Sequence, residues 1–304
     1  MNKDEFTNKV THLEVNKSHT LWVHDWGNPE AKTPIIFLHG GPGSQCKDSH
    51  KKLFDPNKQR VIFFDQRGAG QSLPYGSITD NTTDDLIGDI NAVADHCKVG
   101  SFVICGGSWG SCLALAYAIK HTDRLKGMVL SGIFTGSQEE AKWLNQGLFK
   151  TFYPEVWEQY LRTVPKSHQT DPTSYHFDKM LHGSKKRQKR SAYDYMNLEG
   201  KILQLDDFFM PVSYEDFEPE GLIIAAHYFS NDCFLPSKHV LKNAHKIKAP
   251  VTIVQGRYDM ICPPKNAFAL HENLPGAELI TALSGHRNEH ENVQLIRQAL
   301  RQLT

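Results

Sequence analysis

The sequence predicts an α/β protein: a doubly wound, mostly parallel sheet with a helical cap inserted into it. Three observations carry this. Short continuous apolar runs recur at Ile35–Leu38, Val61–Phe64 and Phe102–Cys105, as strands buried on both faces of a parallel sheet require. Each run ends at a glycine-bearing motif: HGGPG at His39–Gly43, DQRGAGQS at Asp65–Ser72 and GGSWG at Gly106–Gly110. Helix-like stretches separate the runs, and strand-helix alternation puts active residues at the C-terminal ends of strands.

In chain order, Thr11–Val15 and Thr20–Trp26 have β-type composition and flank the polar turn Asn16–His19, so they read as paired strands. The three apolar runs follow. Thr83–Cys97 opens on a threonine cap with Asp84 and Asp85 in its first turn, which marks a helix. Leu113–His121 is rich in helix formers, and Met128–Leu130 is a sixth strand. From about Thr135 to Lys246 the alternation stops. This stretch is aromatic (Trp143, Phe149, Trp157, Tyr160) and mostly helical in pattern. The core resumes with strands Val251–Gln255 and Glu278–Ala282 and a helix over Glu289–Gln302. The expected division is a core of residues 1–134 and 247–304 with a cap of 135–246.

The 34 basic and 34 acidic residues balance, which argues against a general nucleic-acid or membrane-surface role. The run KKRQKR at Lys185–Arg190 reads as a solvated face of the cap. No stretch of 18 apolar residues exists, and MNKDEFTNKV has no apolar signal core. Six cysteines without CxxC spacing read as buried, reduced thiols. The expected protein is cytoplasmic, with a small peptide or amide substrate, no nucleic acid, no membrane and no cofactor.

The spacing Gly106-x-Ser108-x-Gly110, after a strand and before a helix, is a nucleophile elbow. Serine needs a base, and the base needs an orienting carboxylate. Asp259, after strand Val251–Gln255, and His286, after strand Glu278–Ala282, stand in the required order and at strand ends. His290 and Asp232 are weaker competitors. A metal reading of His286, Glu289 and His290 is set aside, because no completing ligand stands out. The oxyanion hole is expected from the N–H groups of Gly41 and Trp109. Asp65 and Arg67 are expected to fix the loop beneath the site.

These motifs together resemble the proline iminopeptidases, the prolyl aminopeptidases of the α/β-hydrolase fold. The resemblance rests on HGGPG, DQRGAGQS, Asn81–Thr83, Asp89 with Ile90, Gly106–Ala118, Gly132–Phe134 and GRYDMICP at Gly256–Pro263. It implies release of N-terminal proline from peptides without cofactor or metal, with Ser108, Asp259 and His286 as the triad. It also implies that Glu199, in Leu198-Glu199-Gly200, binds the substrate's amino group. Three positions depart from the family pattern: Leu198 stands for a tryptophan, Ala225 for a second glutamate and Ser131 for an arginine. Glu215, Asp216, Glu218 and Glu220 are the nearby acids that could substitute for the glutamate absent at Ala225. Two other readings follow from the departures and the fold: an esterase or amidase of altered specificity, and a non-catalytic ligand-binding member.

Overall fold

The computed structural model describes residues 6–202, 212–287 and 290–304. Eight strands form one sheet in the order β1-β2-β4-β3-β5-β6-β7-β8. They are β1 (Thr7–Glu14), β2 (Thr20–Gly27), β3 (Ile35–Leu38), β4 (Arg60–Phe64), β5 (Phe102–Ser108), β6 (Leu125–Ile133), β7 (Val251–Gly256) and β8 (Glu278–Ala282). The β1–β2 and β2–β4 pairs are antiparallel; from β4 to β8 every pair is parallel. The helices are α1 (Thr83–His96), α2 (Trp109–Lys120), α3 (Gln138–Lys142), α4 (Leu148–Phe152), α5 (Pro154–Leu161), α6 (Pro172–His182), α7 (Lys185–Glu199), α8 (Glu220–Ser230), α9 (His239–Asn243), α10 (Pro264–Asn273) and α11 (His290–Leu303).

The period-two geometry of a strand explains why β3 is apolar throughout. Ile36 and Leu38 enter one core with α1, α2 and α10, while Ile35 and Phe37 enter the other with α11. Helix α2 is buried from Trp109 through Ala118. Its alanines let it lie close between the sheet and its helical neighbours.

Several boundaries differ from expectation. β1 spans Thr7–Glu14 rather than Thr11–Val15, because an edge strand exposed over Asn8–Val10 tolerates polar residues there. β6 spans Leu125–Ile133 rather than Met128–Leu130. Lys126 and Gly127 interrupt its apolar run, yet pairing with β5 continues past them. α2 begins at Trp109 rather than Leu113, because the Ser108 turn passes the strand straight into the helix. The last helix is described from His290, and Glu289 lies outside the described residues.

Between β6 and β7 lie α3 to α9. Several aromatic residues of this insertion, Phe149, Trp157, Tyr160, Phe177 and Tyr195, bury with Leu148 in a cluster of their own. Trp143 Nε1 donates to the Met260 carbonyl at 2.8 Å, tying the insertion to the loop after β7. The basic run forms the start of α7, where Lys185, Lys186, Arg187 and Arg190 are exposed and Arg190 pairs with Asp194. All six cysteines are free; five are buried and Cys46 is half-buried. Among the described residues no helix is long and apolar enough to cross a membrane.

Candidate active site

Strand β5 ends on Ser108, whose backbone sits at φ +56°, ψ −128°. Such a conformation in a non-glycine residue costs on the order of 1–3 kcal/mol and persists only where its surroundings enforce it. The enforcement is visible at the flanking glycines. A Cβ on Gly106 would lie 2.7 Å from the Gly110 carbonyl oxygen, and one on Gly110 would lie 2.2 Å from that of Leu38. Only glycine permits so sharp a turn against β3. Ser111 Oγ donates to the Ser108 carbonyl at 2.6 Å and accepts from Phe134 N at 3.1 Å, fixing the turn from below.

Asp259 and His286 occupy the loops after β7 and β8. The Asp259 carboxylate, 2% exposed, accepts from the backbone N–H groups of Ile261 (3.0 Å) and Cys262 (2.8 Å). It also takes His286 Nδ1, at 2.9 Å to Oδ2 and 3.0 Å to Oδ1. A carboxylate only accepts, so Nδ1 carries a proton and a neutral imidazole leaves Nε2 as a base. Burial alone would lower the His286 pKa; the charge and hydrogen bond of Asp259, helped by Glu199, outweigh it and hold the imidazole above its ordinary value. Ser108 and His286 line the same cavity. No hydrogen bond joins them among the described residues, a looseness common before substrate binds.

Trp109 opens α2, so its N–H is one of the first-turn donors with no carbonyl partner in the helix. Gly41, in the loop after β3, lines the cavity with Gly40 and Pro42. A buried network that sequence reasoning missed joins all three motifs. Trp109 Nε1 donates to Gln66 Oε1 (2.8 Å), Gln66 Nε2 donates to the His39 carbonyl (2.9 Å), and Gln66 N donates to His39 Nε2 (3.0 Å). His39 Nδ1 in turn donates to the Gly40 carbonyl at 2.9 Å. The imidazole is therefore neutral, and burial holds its pKa down despite the nearby Asp65. Asp65 accepts from Cys46 N and Gln71 N, and Arg67 makes a bidentate pair with buried Asp89 at 2.7 and 2.8 Å.

The cavity has a volume of about 680 Å³, within the range of small-ligand sites. Glu199, at the end of α7, lines it. Burial pushes the Glu199 carboxyl up to about 7, against the opposing effects of the Tyr195 hydroxyl and His286. Ala225 and Ser131, two of the departures, also line the cavity, whereas Leu198 is buried in the insertion's own core. Of the acids upstream of Ala225, Glu218 lines the cavity; Glu215, Asp216 and Glu220 do not. Asp232 is exposed and bonded to Gln138, away from the site. The side chain of His290 lies outside what is described.

A family model of the alpha/beta hydrolase fold matches residues 33–292. A probable proline iminopeptidase of Leptolyngbya boryana is 37% identical over 88% of this chain and 85% of its own. The proline iminopeptidase of Xanthomonas citri is 38% identical over 93% of both chains. Among solved structures, an esterase from Exiguobacterium antarcticum superposes with a TM-score of 0.65 at 19% identity, over 97% of this chain and 98% of that one. A proline iminopeptidase of Mycobacterium smegmatis does so with 0.59 at 17% identity, over 97% and 98%. These two share the fold. The family match and the curated relatives place the chain further: it belongs to the α/β-hydrolase fold family and, within it, to the proline iminopeptidases.

Proposed function

We propose that this protein is a serine hydrolase that releases N-terminal proline from peptides, with Ser108 as nucleophile, His286 as general base and Asp259 as its orienting carboxylate. The single observation that carries the chemistry is the Asp259–His286 bond at 2.9 Å beside a serine held at positive φ in one cavity. His286 Nε2 takes the Ser108 proton as Oγ attacks the proline carbonyl. The resulting oxyanion accepts from the N–H groups of Trp109 and Gly41, where losing one donor typically costs about 3–4 kcal/mol. His286 then protonates the departing amine, and water releases proline from the acyl-enzyme.

In this reading Glu199 takes the substrate's ammonium from the roof of the cavity. A carboxylate with a pKa near 7 is ionised in part at neutral pH and more so beside a cation. The relatives' names favour this activity over the esterase reading that Ala225 suggests. We also propose the division into a core of residues 1–134 and 247–304 and a cap of 135–246. Free, mostly buried thiols fit a cytoplasmic location.

Turnover of proline 4-nitroanilide, its N-acetyl form and a short aryl ester tests the function. The free amine should be cleaved at least 100-fold faster than the acetylated form, with activity lost in Ser108→Ala. Ester cleavage with no preference for a free amine would sink the aminopeptidase reading; full activity in Ser108→Ala would sink the nucleophile.

A further inference from the structure

The charges lining the cavity are sorted by the part of the chain that supplies them. Its acids, Glu199 at the end of α7 and Glu218 ahead of α8, come from the insertion between β6 and β7. Its cations Lys47, Lys52 and Arg287 come from the connections between strands, Lys52 from the short 3-10 helix Asp48–Leu53. Lys47 and Lys52 belong to the segment that follows HGGPG, and Arg287 directly follows His286. The ammonium and guanidinium groups of these three make no ion pair with any described residue. His50 lines the cavity between the two lysines, accepts the Lys47 N–H at 3.0 Å, and packs on Phe37. Burial first, then the charges of Lys47 and Lys52, hold its pKa down to about 4, so it adds no charge there.

A dipeptide is a zwitterion, with an ammonium on the acyl side of its peptide bond and a carboxylate on the leaving-group side. His286 must reach the leaving amine to protonate it, and Arg287 adjoins His286. We propose that Lys47, Lys52 and Arg287 form a carboxylate subsite for the leaving group, which makes short peptides bearing a carboxylate there the preferred substrates. The inference rests on the proline-aminopeptidase reading and names its substrate class. Exposed cations acting together through water give a preference of roughly 3- to 30-fold, weakened by salt.

The test compares kcat/KM for Pro-Ala, Pro-Ala-NH2 and Pro-Glu-NH2 with the intact protein at low ionic strength. Pro-Ala should exceed Pro-Ala-NH2 by about tenfold, mostly through KM. The ratio should fall to near one in the Lys47→Gln, Lys52→Gln, Arg287→Gln triple variant, and below that of the wild type in Lys52→Glu, a single surface change expected to fold. Pro-Glu-NH2 matching Pro-Ala admits an acidic second residue as a source of the carboxylate; matching Pro-Ala-NH2, it assigns the subsite to the terminal carboxylate. Equal rates for all three in the wild type, or a preference that survives in the triple variant, overturns the subsite. Proline 4-nitroanilide, which has no carboxylate, separates the two readings. Its turnover without any acid preference defeats the subsite alone; no turnover defeats the aminopeptidase.

Discussion

Glu199 and His286 face one cavity and influence each other's ionisation. Catalysis as proposed needs His286 neutral and Glu199 charged, so both must lose a proton. His286 is held above its ordinary value and Glu199 is pushed up to about 7, so activity is lost as pH falls through both. The logarithm of kcat/KM for proline 4-nitroanilide should therefore climb with a slope above one on the acid side, reporting macroscopic constants of the pair. Glu199→Gln should reduce that slope to one and raise KM about tenfold or more, as loss of a charge-assisted bond implies. An unchanged acid limb in this variant would count against Glu199 as the anchor. At this scale the sequence was legible where chemistry fixes order and position. Ser108 closes a strand and Asp259 and His286 each follow one; Asp259 bonds His286, which lines one cavity with Ser108. Gln66 was not legible, because a glutamine in a loop carries no periodic or charge signal; its role appears only once His39 and Trp109 are seen beside it.

Three elements depend on that glutamine. The loop after β3, the loop after β4 and the first turn of α2 meet at Gln66, which is 2% exposed. Gln66→Leu would leave Trp109 Nε1 and the His39 carbonyl buried without partners, at about 1–3 kcal/mol each. Urea denaturation should register that loss. Because the backbone N–H groups of Gly41 and Trp109 sit on the loosened elements, kcat should fall more than KM rises; a variant with lower stability but intact kcat would limit the network to a structural role. The strands were readable because a short, unbroken apolar run bounded by turn residues must be covered on both faces. Their ends were not. Pairing carried β6 past Lys126 and Gly127, and the strained serine turn started α2 four residues earlier than composition suggested.

Across the whole molecule, the insertion packs around its own apolar cluster and meets the core through α8, through Cys233 and Val240 near and on α9, and through polar contacts such as Trp143 to Met260. Amide hydrogen exchange should show α5 and α6 opening at lower free energy than β3, β5 and β6. Uniform protection would contradict the proposed division into core and cap. The core's integrity rests on another pair. Arg67, 6% exposed, holds Asp89, 1% exposed, and burial already pushes the Asp89 carboxyl upward against that partner. Arg67→Met should cost about 3–5 kcal/mol by leaving a buried carboxylate uncompensated. Arg67→Met with Asp89→Leu should recover much of it, since an apolar pair restores packing without an orphaned charge; equal losses in both variants would argue that packing, not charge, dominates. The motif around Arg67 announced an architectural role in the sequence, but its partner on α1 became visible only in three dimensions.

The order of strands in the sheet differs from their order of manufacture. Strand β5, which carries the proposed nucleophile, lies mid-sheet, whereas the proposed acid and base stand in the loops after β7 and β8. A chain emerging from the ribosome thus displays its serine elbow well before either partner exists. In the proposed triad, Ser108 has no proton acceptor until β8 and its loop have emerged and docked. On that reading, cleavage waits on the docking of β8 and its loop, and regain of activity after refolding should mark that long-range docking rather than the first collapse.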